Sequence, residues 1–157
     1  MWFIIILAQT INMKVFGKSL KEYLWPVKWY VAICVLIVIF QYDGMLLFMG
    51  YDPLIARATQ WGWMLFEALA LITLVRKYGF DGFGVKNILF AGVLFALVIH
   101  GLKAFVFRVF FFPYSGTLEQ QASTILYKFF YGSGLVMAVA VIVVMLFYFN
   151  KKGWLKK

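Results

Sequence analysis

Residues Ile88 to Phe112 read ILFAGVLFALVIHGLKAFVFRVFFF, and this stretch decides the fold. An apolar run longer than the roughly 20 residues a helix needs to cross the hydrocarbon core is a membrane span. Yet it carries His100, Lys103 and Arg108. At about 100° per residue on a helix, the three sit at roughly 0°, 300° and 80° and so share one side. That side faces protein or water rather than lipid, because a charge at mid-bilayer costs about 2.5 to 3.5 kcal/mol even on the lenient insertion scale.

The rest of the chain agrees with this start. Of its 157 residues, 65% are hydrophobic and 13% charged, whereas a soluble domain is about half apolar and about a quarter charged. The fold class is therefore an all-α integral membrane protein, a four-transmembrane-helix bundle with an N-terminal amphipathic interfacial segment. It is a single membrane domain over residues 1–157, with the interfacial segment at 1–27 and spans at about 29–50, 57–77, 88–112 and 130–150. A net charge of +9 suggests nucleic acid in a soluble protein, but here the charges fall between apolar runs, where the positive-inside rule accounts for them. No nucleic-acid partner is expected. The single cysteine, Cys34, excludes an intramolecular disulfide and a thiolate metal cluster and reads as a packing residue.

Residues 1–13, MWFIIILAQTINM, are too short to span comfortably and lack the features of a cleaved signal. Met13-Lys14 resembles an ordinary start, which leaves two readings of residues 1–12, part of the mature protein or an upstream extension. From Lys14 to Leu24, Lys14, Lys18, Lys21 and Glu22 occupy one helical face and Phe16, Leu20, Tyr23 and Leu24 the other. This predicts a helix lying in the interface, or a basic flank that orients the first span. Trp25, Trp29 and Tyr30 suit an aromatic belt. Further along, Asp52-Pro53 starts the second helix as cap and first-turn proline, and Gly79 in KYGFDGFGVKN ends it. That glycine-rich connector is a turn and not a phosphate loop, since no strand precedes it and no Gly-Lys-Ser/Thr follows. Thr117 and Gln120 have capping-box spacing for the fourth helix, and Gly132-Ser133-Gly134 predicts a bend in it. Ala58/Gly62, Gly92/Ala96 and Gly134/Ala138 have the spacing of close helix contacts.

Eleven of the fifteen basic residues, Lys14, Lys18, Lys21, Lys28, Arg76, Lys77, Lys86, Lys151, Lys152, Lys156 and Lys157, fall on one side of such a topology. That predicts a multi-pass protein of the inner, cytoplasmic membrane with both termini in the cytoplasm. Measured from Lys28, Arg76 and Asn87 at about 1.5 Å per residue, Glu67 lies roughly 13 Å deep, His100 about 20 Å, Asp43 about 22 Å and Lys103 about 24 Å. Because helical side chains lean towards their own N-terminus, Glu67 and the His100/Lys103 pair lean towards each other. The expectation is an intramembrane polar cluster of Asp43, Glu67, His100 and Lys103. In it Glu67 meets His100 or Lys103, and Asp43 meets Lys103 or the outer Arg57 and Arg108. Arg108 reads as an interfacial anchor.

Two classes of function compete for that cluster. As polar glue or a mating surface it belongs to an accessory or structural subunit acting through protein contacts in the bilayer. As a proton relay, in a cavity lined by Trp61, Trp63 or Tyr42, it belongs to a small proton-coupled transporter or channel. An immunity-type membrane protein shares the architecture, which alone does not choose. An enzyme is not expected, nor a cofactor or metal: one His, one Cys and six acids supply no catalytic or ligand set. The aromatic excess at Phe105, Phe107, Phe110 to Phe112, Phe147 and Phe149 reads as belt and lipid contact.

Overall fold

Phe16 and Gly17 make a two-residue turn near the start of the part of the chain described by the computed structural model, which covers residues 14–47, 50 and 52–152. The readings made for residues 1–13, 48–49, 51 and 153–157 lie outside the described residues. Strand β1 (Lys14–Val15) pairs antiparallel with β2 (Lys18–Ser19), Lys14 opposite Ser19. Both turn residues have positive φ, 50° at Phe16 and 82° at Gly17, the primed geometry that follows the natural twist of a hairpin. Ser19 then opens helix α1 (Leu20–Leu24) through a capping box, its Oγ accepting from the Glu22 amide while Glu22 Oε2 accepts from the Ser19 amide at 2.8 Å. This corrects the expected continuous amphipathic helix over 14–24. The local turn and cap signals override the helical period that ran across them.

A short 3₁₀ turn (Trp25–Val27) around Pro26 leads into α2 (Lys28–Leu47). Next come α3 (Pro53–Tyr78) and α4 (Val85–Gly101), which continues without a break into a π-helical segment (Leu102–Phe111), and then α5 (Leu118–Lys151). Caps sit where the sequence places them. Asp52 Oδ1 accepts from the amides of Leu54 at 2.7 Å and Ile55 at 3.2 Å. Gly79, with φ 74°, sends its amide to the Val75 carbonyl, and Thr117 forms a capping box with Gln120. Helix α5 has 34 residues and is about 51 Å long at 1.5 Å per residue, well beyond a 30 Å core. It runs without interruption through Gly132–Gly134.

The interior is filled by Cys34 and Val38 of α2, Leu71 and Leu74 of α3, Phe95 and Ile99 of α4, and Val136 and Ala140 of α5. Helix α2 packs chiefly along α3, and α4 along α5. Helices α4 and α5 approach closely at Gly92, where a Cβ would stand 2.8 Å from the Ala140 methyl. Gly62 faces Ile37, whereas Gly134 has open space around it, so the small-residue spacing marks helix contacts at Gly62 and Gly92 but not there.

The N-terminal segment is not a free interfacial helix; it docks on one end of the bundle. Tyr23, 1% exposed, packs its ring on Phe83 and Phe90. Its hydroxyl lies within donating reach of two acceptors, the Val15 carbonyl oxygen and Asn87 Oδ1. Tyr78 donates to the Glu22 carbonyl at 3.2 Å and lies under the Lys18 ammonium. The connector's Asp81 pairs with Lys151 at the end of α5. Removing the hydroxyl leaves the buried Asn87 side chain and the half-buried Val15 carbonyl without this donor, so Tyr23→Phe is expected to cost about 1 to 3 kcal/mol. Thermal unfolding in detergent followed by circular dichroism measures it, and an unchanged melting curve would show that the rings alone hold the segment.

Candidate cationic cavity

At the end of the bundle opposite the docked segment, every span contributes to one cavity of about 240 Å³. Its walls follow from helical spacing. Ala56, Gln60 and Trp63 come from successive turns of α3, and Lys128, Tyr131, Gly132 and Leu135 from successive turns of α5. Gln41 and Tyr42 enter from α2, Tyr114 from the connector before α5, and His100, Lys103, Ala104 and Arg108 from α4 and its π-helical continuation.

The π segment is what places both Lys103 and Arg108 there. Five residues apart on an α-helix, they would point roughly 140° apart. An i→i+5 ladder sets residues five apart over one another, and the ladder is visible at the segment's end, where the Phe112 amide donates to the Phe107 carbonyl at 2.7 Å. Tyr42 supports this region by stacking on Phe107 with 4.3 Å between ring centres and donating its hydroxyl to the Lys103 carbonyl at 3.4 Å. Arg108 is held by aromatic faces, its Cζ 4.6 Å from the Tyr114 ring centre and 5.6 Å from that of Tyr42. One Nη1 donates to the Phe112 carbonyl at 3.4 Å. Arg108, expected as an interfacial anchor, also lines the cavity.

Trp63 is the floor. The Lys103 ammonium sits 5.4 Å from its ring centre, and the His100 imidazole meets the indole edge-on at 5.3 Å. On its other side His100 presses on Gly132, so closely that a Cβ there would fall 2.1 Å from Nδ1. Several buried polar atoms of these walls, Gln41 Oε1, Trp63 Nε1 and His100 Nε2, have no hydrogen-bond partner.

The expected polar cluster assembles only in part. His100 and Lys103 line the cavity together, and Arg108, Trp63 and Tyr42 join them. The expected Glu67 contact is not made. Glu67 is fully buried, and neither carboxyl oxygen has a hydrogen-bond partner. His100 and Lys103 instead meet Trp63, one turn from Glu67 on α3. Asp43 and Arg57 are exposed, and among the described residues the ion pairs are Lys18–Glu22 and Lys151–Asp81. Asp43 forms no ion pair with Lys103, Arg57 or Arg108. Trp61, the third expected wall residue, is 70% exposed. Phe107, Phe112 and Phe147, read as belt or lipid contact, instead pack against Tyr42 and Phe80.

Sequence reasoning missed Lys128, Gln60, Tyr114, Tyr131 and Gly132 as neighbours of this site. A signal was present for α5 alone, in the 128-131-132-135 spacing. The cavity thus holds Lys103, Arg108 and Lys128 with no carboxylate among its lining residues. Chemically it offers ammonium and guanidinium charge, amides, hydroxyls and aromatic faces, an arrangement for holding an anion. Among the described residues no three of His, Cys, Asp and Glu gather as a metal set.

Four helices, Leu20–Met45, Pro53–Tyr78, Val85–Phe111 and Leu118–Lys151, are long and apolar enough to cross a membrane. The chain is accordingly a multi-pass helical membrane protein with a cationic cavity at one end. No family model, curated protein or solved structure matches it.

Proposed function

We propose that the protein acts by binding rather than by chemistry, as an accessory membrane protein whose cavity receives the anionic group of a ligand. The observation that carries this reading is the set of three cations, Lys103, Arg108 and Lys128, converging on one cavity that no carboxylate lines. Unpaired charges within membrane-spanning helices are costly and mark functional sites by default. A structural role would be served by pairing them, and the chain has acids that it places elsewhere. In this orientation both termini and the docked N-terminal segment face the cytoplasm, following the basic residues, and the cavity lies at the opposite face of the inner membrane. A proton relay finds less support, because its carboxylate, Glu67, is not a cavity residue.

Thermal unfolding in a neutral detergent, with and without inorganic phosphate or a short-chain anionic amphiphile, tests the reading. A ligand at 100 times its Kd stabilises the folded state by about 2.7 kcal/mol, so the wild-type curve is expected to move up by several degrees. Glu67→Gln, outside the cavity, keeps that response. An equal shift in Lys103→Met and wild type would locate binding elsewhere, and no shift with any anion would defeat the proposal.

A further inference from the structure

The cavity's charge and its depth together narrow the class of anion. We infer that it accepts a phosphate monoester group, presented at the headgroup level of the leaflet opposite the basic end; this rests on the anion-binding reading above.

Charge is the first argument. Carboxylates and phosphodiesters carry one negative charge, whereas a phosphate monoester carries about −1.5 to −2 at neutral pH in a compact tetrahedral group. Three cations with no acid beside them match the second far better than the first. Donor geometry agrees. Arg108 is pre-positioned between two tyrosine rings, 4.6 and 5.6 Å from its Cζ, and offers a planar fork, while Lys103 and Lys128 approach as point charges from other helices. The unpartnered indole Nε1 of Trp63 and Nε2 of His100 are further candidate donors, so that several phosphate oxygens find partners at once. At about 240 Å³ the cavity falls below the 300 to 1,000 Å³ typical of sites that enclose a drug-sized ligand. It holds a headgroup and leaves what is attached outside.

Depth supplies the second argument. Counting about 1.5 Å per residue from Asn87, Lys103 lies roughly 24 Å from the basic end, and counting from Lys151, Lys128 lies roughly 34 Å from it. The two bracket the far boundary of a 30 Å hydrocarbon core, where lipid phosphates begin. The rim there is aromatic and exposed: Tyr127, Phe130 and Tyr131 are 64, 69 and 63% exposed, as in the belts that sit at headgroups. A phosphate reaching this site comes on a lipid from the side or free from the adjoining aqueous phase, and the chemistry recognised is the same.

Native mass spectrometry from neutral micelles containing equimolar phosphatidic acid, phosphatidylglycerol and oleic acid tests the inference, with inorganic phosphate as a competing arm. Phosphatidic acid should be retained about tenfold over the other two, the worth of one further charge-assisted contact. That preference should vanish in Lys103→Met and shrink in Lys128→Gln, an exposed rim change that leaves the bundle intact. Displacement by millimolar phosphate assigns the aqueous source and resistance to it assigns the lipid; both support phosphoryl recognition. Equal retention of the three amphiphiles, with the anion-induced melting shift preserved, overturns the monoester inference alone. Absence of both overturns the anion site with it. A preference that persists in Lys103→Met and Lys128→Gln also overturns it.

Discussion

Lys103→Met should melt higher than the wild type in anion-free detergent, by about 2 to 8 °C, while losing the upward shift that anions give the wild type. Two opposing effects set the sign. The substitution removes a cation–π contact with Trp63, 5.4 Å away, worth about 0.5 to 2 kcal/mol. It also removes a charge that no carboxylate offsets; such a charge costs about 2.5 to 3.5 kcal/mol at the centre of a span, an upper bound for Lys103 at roughly 24 Å along a 30 Å core. Methionine keeps the length of the stem and fills the same volume. The charge effect is larger, so a net gain of about 1 to 2 kcal/mol remains, and for a chain of this size each kcal/mol moves the melting point by about 2 to 4 °C. A residue kept for binding at the expense of stability behaves in this way. A fall in melting temperature of similar size would instead make Lys103 a structural tie between α4 and α3 and remove the main support for an anion site.

That Lys103 faces away from lipid was legible from the sequence, because a lysine within an apolar run of span length must face protein or water, and it lines the cavity. The four spans and the caps at Asp52, Gly79 and Thr117 were legible for the same kind of reason: each is a local signal with a local physical cause. What the sequence hid depends on through-space packing or on a change of helical phase. Arg108 stands over Lys103 where the helix changes from an α to a π ladder after Gly101, whereas a constant 100° per residue sets the two at opposite edges of their shared side, about 140° apart. Lys128 sits on the long overhang of α5, where an exposed lysine in an amphipathic turn looks like any solvated residue. Depth and lean allowed the Glu67 contact, but His100 and Lys103 meet the indole of Trp63 instead. At the N-terminus the opposite error occurs, since Phe16-Gly17 and Ser19-x-x-Glu22 are readable turn and cap signals that a longer helical period masked.

Gly132 is the position where packing and site meet most closely, and Gly132→Ala is expected to destabilise the protein by about 1 to 3 kcal/mol. The added methyl would lie 2.1 Å from His100 Nδ1 and 2.2 Å from Cε1. The imidazole has little room to retreat, because Trp63 closes its other side at 5.3 Å between ring centres and is itself 1% exposed. Relief therefore requires α4 and α5 to separate or the ring to swing into the cavity. Helix propensity works the other way, since alanine is favoured over glycine in a helix interior by about 1 kcal/mol. Gly134, two residues on in the same helix with nothing within 4 Å of a Cβ, isolates that term: Gly134→Ala should be neutral or stabilising by up to about 1 kcal/mol. Comparing the two alanines by thermal unfolding thus separates the clash from the backbone effect. Removing the opposing ring completes the argument. In a His100→Ala/Gly132→Ala double variant the clash has no second partner, so the cost of the glycine change should largely disappear, a coupling of about 1 to 3 kcal/mol between contacting residues. If the two costs simply add, His100 and Gly132 do not touch, and the α4–α5 wall of the cavity is built differently from the one described.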